Sequence, residues 1–229
     1  VDIDRRTLEL AGPWPWSREQ LAALVSRIAA AGPRAIGLDI LIEGPDERSP
    51  AALARRLSTG AVSPELRSRL EAEMAGLIDG DQRLRLALAQ RPTVMGLAID
   101  PERSSPARAP APVLTQGRLD LPGLWQAAGI AAPRRELAEA AAGAGVLATL
   151  GGSDGRVRHV PLFVEVGGQL WPGLALDVAR VAQGASAYVV SAGGRLRVGG
   201  IELPLPPDAM LRLDPIVLSQ LPQWTLSAA

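Results

Sequence analysis

Residues 1–42 constrain the fold more than any other stretch of the chain. Val1 and Ile3 alternate with Asp2 and Asp4, the period of a strand end. A corner of sequence Gly12-Pro13-Trp14-Pro15-Trp16 follows. Ser17 with Gln20 then spells a capping box, in which the serine oxygen takes an orphan backbone N–H and the glutamine reaches back to the cap. Leu21, Leu24, Val25 and Ile28 recur at helical spacing and make one apolar stripe. Gly32-Pro33 ends that helix. Ala35 to Ile42 is apolar on both faces except at Asp39, as a strand covered by helices on both sides requires. The pattern predicts Val1–Asp4 and Ala35–Ile42 as adjacent parallel strands, joined by a right-handed crossover through a helix over Arg18–Ala31.

The remainder continues in the same style. Glu43 to Pro50 reads as a polar loop and Ala51 to Leu57 as a short helix. Ser63-Pro64 starts another helix, with a cap and a proline at its first position. Leu66, Leu70, Met74 and Leu77 or Ile78 mark its apolar face, and Asp79-Gly80-Asp81 breaks it. A helix around Leu84, Ala87 and Leu88 leads to a buried strand, Thr93 to Ile99. Pro101 to Pro112 reads as an exposed loop. Leu121 to Gly129 and Arg134 to Ala142 are helical by composition, and Gly145 to Leu150 is a strand. A glycine-rich turn over Gly151 to Gly155 returns the chain antiparallel through Val157 to Val166. Pro172 to Ala182 is a helix. Tyr188–Val190, Leu196–Val198, Ile201–Leu205 and Met210–Leu213 are short strands, two of them joined through Gly199-Gly200. The expected class is α/β, with a mixed, mainly parallel sheet flanked by helices and antiparallel hairpins in the C-terminal half.

Composition narrows the function. Twenty-four basic and 24 acidic residues cancel to a net charge of +0, which argues against a nucleic-acid partner. Every basic residue except the single histidine is arginine. Cysteine is absent, so there is no disulfide framework, zinc-thiolate site or cysteine nucleophile. The weakly polar run Ala140 to Leu150 is too short to span a bilayer.

Asp2, Asp4 and Asp39 are the leading candidate cluster. Ligands of open α/β sheets bind at the carboxyl ends of the strands, and three carboxylates there could hold a hard cation through oxygen ligation. The favoured alternative is that they cap helices or pair with Arg18 or Arg34, because buried acids are normally paired. Arg18 is the expected partner of Asp4 and Asp39. Trp14 and Trp16 could stack on a ligand, but prolines and indoles in one corner more often form a rigid packing element. His159 has no nucleophile motif near it, and Gly151-Gly152-Ser153 lacks phosphate-loop spacing. No catalytic residue, metal site or cofactor is assigned.

These residues resemble one family, the type-two CHASE domain, an extracytoplasmic sensory module of bacterial receptor cyclases and kinases. The similarity rests on the acidic strand, the Trp-Pro-Trp corner and Ala35 to Ile42. It continues in Asp81 with Leu84, Ala87 and Leu88. Ser153-Asp154-Gly155-Arg156 with Arg158 and Pro161 is similar to the family's D-x-D-G-x-x-R-x-x-P stretch, with Gly152 in place of its first aspartate. Pro172 to Leu176 is similar to the P-S-L-A-L helix start that follows. The resemblance runs from Val1 to about Val181 and adds Asp154 and Arg158 to the candidate ligand-binding or structural residues.

The resemblance implies one extracytoplasmic sensory domain over 1–229, shortened at its C-terminal end and tethered to the membrane by segments outside this chain. A small-molecule or protein stimulus, and a homodimer, are the partners it implies. Its output would be a cyclase, histidine kinase, Ser/Thr kinase or diguanylate cyclase domain, and the module itself would not be an enzyme. Two other readings stand beside it: a metal-dependent hydrolase built on the acidic cluster, and a ligand-free dimerisation module.

Overall fold

The computed structural model describes residues 1–60, 62–74, 79–102, 109–148, 150–151, 154, 157–214 and 220. Along the chain, α1 (Arg5–Ala11) and α2 (Arg18–Ala30) precede strand β1 (Ile36–Leu38). Helices α3 (Pro50–Ser58), α4 (Pro64–Met74) and α5 (Gly80–Leu88) then lead to β2 (Thr93–Ile99). Strands β3 (Val113–Thr115), β4 (Gln126–Ala127) and β5 (Ile130–Ala131), helix α6 (Arg135–Ala140) and strand β6 (Gly143–Val146) follow. The C-terminal half holds β7 (Leu150–Gly151), β8 (Val157–Pro161), β9 (Phe163–Val166), β10 (Gln169–Pro172) and α7 (Leu174–Ala182). It ends in β11 (Tyr188–Val190), β12 (Arg195–Val198), β13 (Ile201–Pro204) and β14 (Met210–Arg212). This is the α/β class that the pattern predicts.

Strand β2 is the axis of the central sheet. It pairs in parallel with β1 and with β6, and its last residues pair antiparallel with β5. The register places Ile36, Leu38, Met95, Leu97, Ala144 and Val146 on one face, since paired strand residues share a face. Helices α2, α5 and α6 bury their apolar stripes against part of that face, around Val25, Leu84, Leu88 and Leu137, each 2% exposed or less.

The opposite face is nearly all glycine: Gly37, Gly96, Gly143 and Gly145, with Val94 among them. Helix α7 lies on it. A Cβ at Gly37 would stand 2.7 Å from a methyl of Val178, and one at Gly145 would stand 2.5 Å from the Leu174 Cα. The missing side chains set the distance between helix and sheet.

Smaller sheets complete the fold. Strands β11, β12 and β13 form an antiparallel meander, with β3 parallel to β11. The β12–β13 hairpin turns at Gly199-Gly200, as expected. Strands β9 and β10 form a hairpin through Gly167 and Gly168, both at positive φ, which suits a two-residue turn. Strand β7 pairs antiparallel with β8, the return expected after the glycine-rich turn.

Five expectations need correction. Val1–Asp4 is not a strand of the central sheet. Only Asp2 makes a β-bridge, and the Asp4 carboxylate accepts from the Thr7 N–H at 2.8 Å to cap α1, a helix the spacing did not announce. Leu121–Gly129 is not a helix; the Leu124 N–H closes a turn on the Leu121 carbonyl, the Gly123 N–H donates to the Pro207 carbonyl, and β4 follows. Gly145–Leu150 divides into β6 and β7, and Val157–Val166 divides at Leu162 into β8 and β9, which join different sheets. Pro172 closes β10, and Gly173 caps α7. The Leu77 or Ile78 position, the middle of the 101–112 loop and much of the 151–155 turn lie outside the described residues.

If the glycine face sets the seat of α7, Gly145→Ala costs about 1–3 kcal/mol, as overpacking does. Gly193→Ala, whose added carbon meets only the Ser191 Oγ at 4.0 Å, changes stability by less than ~0.5 kcal/mol. Urea unfolding of the two variants checks this.

Candidate functional site

The corner after α1 is built as a rigid element. Trp16 is buried at 6% exposure, and its Nε1 donates to the Gly12 carbonyl at 3.0 Å. Trp14 is 42% exposed, with its ring centroid 5.8 Å from that of Trp16. Ser17 and Gln20 form the capping box read from the sequence. Trp16 is the packing residue of the pair, and Trp14 stands at the surface.

Two cavities flank this corner. One, about 570 Å³, lies between the corner and α3, with Trp16, Leu53, Arg48 and Arg56 in its lining. The other, about 930 Å³, runs beside β1 and is lined by Asp2, Ile3, Trp14, Leu24 and Asp39 among others. Asp2 and Asp39 are both exposed and share this second cavity. Asp4 is committed to Thr7, whose hydroxyl and backbone N–H hold its carboxyl below the usual carboxylate range.

Arg18 does not neutralise Asp4 or Asp39. Its Nε donates to Asp81 at 3.2 Å, and its Nη2 donates to the carbonyls of Glu43 at 2.9 Å and Gly44 at 3.3 Å. Asp81 also accepts from Arg134 Nη1 at 2.8 Å and from the Asp46 N–H at 3.0 Å. One carboxylate therefore gathers the starts of α2, α5 and α6 and the loop after β1. A hub does form around Arg18, but not the expected one: its acid is Asp81, 63 positions away in sequence, beyond the reach of a local spacing argument.

Asp46 is the buried acid beside this hub, at 5% exposure. Its Oδ1 accepts from the backbone N–H of Arg48 at 3.1 Å and of Ser49 at 3.3 Å. Its Oδ2 has no hydrogen-bond partner among the described residues and rests against Gly80, where a Cβ would stand 2.1 Å from it. Burial pushes this carboxyl up. The nearby Ser49 hydroxyl, the Arg48 and Ser49 N–H groups that bond Oδ1, and the Arg18 backbone outweigh that and hold it below its ordinary value.

A second polar centre lies under α7. Asp177 and Arg180 are 1% and 8% exposed and pair at 2.6 Å. The Tyr188 hydroxyl donates to Asp177 at 2.5 Å. Arg180 also donates to the carbonyls of Ala185 at 3.0 Å and Ala142 at 3.3 Å, and lies 5.9 Å from the Tyr188 ring centre. Burial, followed by the Asp177 charge and hydrogen bond, pushes the Tyr188 hydroxyl well above its ordinary value. Burial pulls the Arg180 guanidinium down, but its contacts with Asp177 and Tyr188 raise it overall. The sequence carries a signal for this centre that spacing arguments passed over: Asp177 and Arg180 fall three apart within the apolar helix LALDVARVA.

Asp154 and Arg158 pair in two contacts of 2.8 and 2.6 Å, each side chain about half exposed. Such a pair contributes little to stability. His159 is exposed on β8. Among the described residues no three or more His, Cys, Asp or Glu side chains cluster as a metal ion requires, and Asp2, Asp4 and Asp39 are not one such cluster. Among the same residues no helix is long and apolar enough to cross a membrane.

Compared with known families, residues 1–226 match the CHASE2 domain, and the chain belongs to that family. CHASE2 domains are extracellular sensory domains of signalling receptors, not catalytic ones. No curated protein and no solved structure matches the chain.

The geometry fixes two outcomes. In a double-mutant cycle read by urea unfolding, Arg18→Ala and Asp81→Ala couple by roughly 1–3 kcal/mol, whereas Arg18→Ala and Asp39→Ala add to within ~0.5 kcal/mol. The second concerns Asp46, whose folded-state value lies below its unfolded one. The stability it supplies is present above pH 3.8 and is lost as pH falls through the folded-state value. The gap between the unfolding midpoints of the wild type and Asp46→Ala is therefore widest at neutral pH and closes in acid.

Proposed function

We propose that this chain is the extracytoplasmic input module of a bacterial transmembrane receptor. It takes up a small-molecule or protein stimulus and passes a conformational change through membrane segments outside this sequence to a cytoplasmic output domain. A cyclase, a histidine kinase, a Ser/Thr kinase and a diguanylate cyclase are the outputs this reading admits. The observation that carries it is the family match along residues 1–226. The two cavities beside the Trp-Pro-Trp corner support it, because ligand sites are concave and of this size. A stimulus acts by binding one of two states better than the other. Residues 1–229 act as one unit, without nucleic acid, and a homodimer is the arrangement in which two such modules would orient their outputs.

Topology is the decisive test. The chain has no cysteine, so Gln116→Cys, at an exposed position, gives the full-length receptor a single reporter in this segment. A membrane-impermeant maleimide applied to intact spheroplasts labels it if the module lies outside. Labelling only after lysis overturns the reading.

A further inference from the structure

The cavity between the corner and α3 has a chemical character that the sensory reading does not specify. Its wall on one side is fixed: Pro13, Pro15 and the buried Trp16. On the other side stands α3, whose Leu53 lines the cavity while 48% exposed. An apolar side chain left half in water within a concavity is surface a ligand can cover. Arg48 and Arg56 line the same space, both are exposed, and neither has an ion pair among the described residues. This contrasts with Arg55 on the same helix, which pairs with Asp79 at 2.8 Å. Arg48 is also well anchored. Its backbone N–H is held by the buried Asp46, and the neighbouring Ser49 caps α3 at the Ala52 N–H. The two guanidinium groups therefore project from a braced segment, and the Arg55–Asp79 pair ties that segment to the start of α5.

We propose that this cavity binds a small organic carboxylate with an apolar body. The carboxylate is held by Arg48 and Arg56, and the body lies between Leu53 and the Pro13, Pro15 and Trp16 wall. Guanidinium groups match a carboxylate in geometry as well as in charge. Glu47 also lines the cavity, so two cations face one anion and a single further negative charge balances the site. That favours a monocarboxylate over a polyanion. The exposed leucine favours an acid with an apolar body over a bare inorganic anion. Such a ligand would bridge the corner that positions α2 and the helix braced on α5. Its meaning as an input rests on the sensory reading, but the binding itself does not.

The test is titration calorimetry and thermal unfolding of the chain with phenylacetate and hexanoate. Acetate, phenethylamine and phenethyl alcohol serve as probes that lack the body or the charge. Phenylacetate or hexanoate is expected to bind saturably and raise the melting temperature, and the other three are not. Each of Arg48→Gln and Arg56→Gln is expected to weaken binding about tenfold, the scale of one hydrogen bond to a charged group. Leu53→Ala is expected to weaken it with no change in charge preference. All three positions are exposed, and the urea midpoint of each free variant reports that it folds. The proposal fails if neither acid binds, if the double arginine variant binds them as tightly as the wild type, or if phenethylamine binds equally well. Each of these results leaves the labelling test of the sensory reading untouched, so the two can fail separately.

Discussion

Helix α7 can lie where it does only because the sheet beneath it has almost no side chains. Gly37, Gly143 and Gly145 each leave room that a single methyl group would fill, and glycine in a strand weakens it unless another backbone approaches closely. Here that approach is the reason for the glycines. The close seat brings Asp177 within reach of the start of β6, where a Cβ at Gly143 would stand 2.0 Å from its Oδ2. It brings Arg180 within reach of the Ala142 carbonyl. Burying two charges is costly unless they pair and their remaining hydrogen-bonding groups are met. Tyr188 and two backbone carbonyls meet several of them. The helix thus joins the parallel sheet to β11, through Tyr188, and so to the C-terminal meander.

The N-terminal half depends on a comparable, partly buried device. Asp81 holds the starts of three helices, and Arg18 holds two carbonyls of the loop after β1. The positive ends of helices favour a carboxylate there. The segment beyond those two carbonyls, from Asp46 through α3, is fastened at both ends, and its half-exposed Leu53 forms part of the wall of the smaller cavity.

The sequence disclosed what local pattern encodes. The capping box at Ser17 and Gln20, the proline start of α4, the β2 strand and the Gly199-Gly200 turn all depend on neighbours within a few residues, and each is found as read. Val1–Asp4 misled because a β-period pattern of four residues is also compatible with a capping aspartate before a helix, and Arg5–Ala11 has no buried apolar stripe to reveal it. The candidate site was harder. The importance of Arg18 was visible from its place after the corner, but Asp81 and Arg134 become its neighbours only through the tertiary fold. Asp177 and Arg180 sit in a helix whose apolar character draws attention away from two charges. Tyr188, the third member, lies in another element altogether.

The location of these ion pairs also decides how the molecule responds to salt. Mobile ions screen charges in water within a Debye length of about 10 Å at 0.1 M. Arg5–Glu9, Arg135–Glu139 and Arg158–Asp154 are exposed to that screening. The Asp177–Arg180 pair lies where ions do not penetrate. An extracellular domain works in a medium whose ionic strength the cell does not control. In this one, the charges that seat a helix on its sheet are the ones that dilution or brine leaves unchanged.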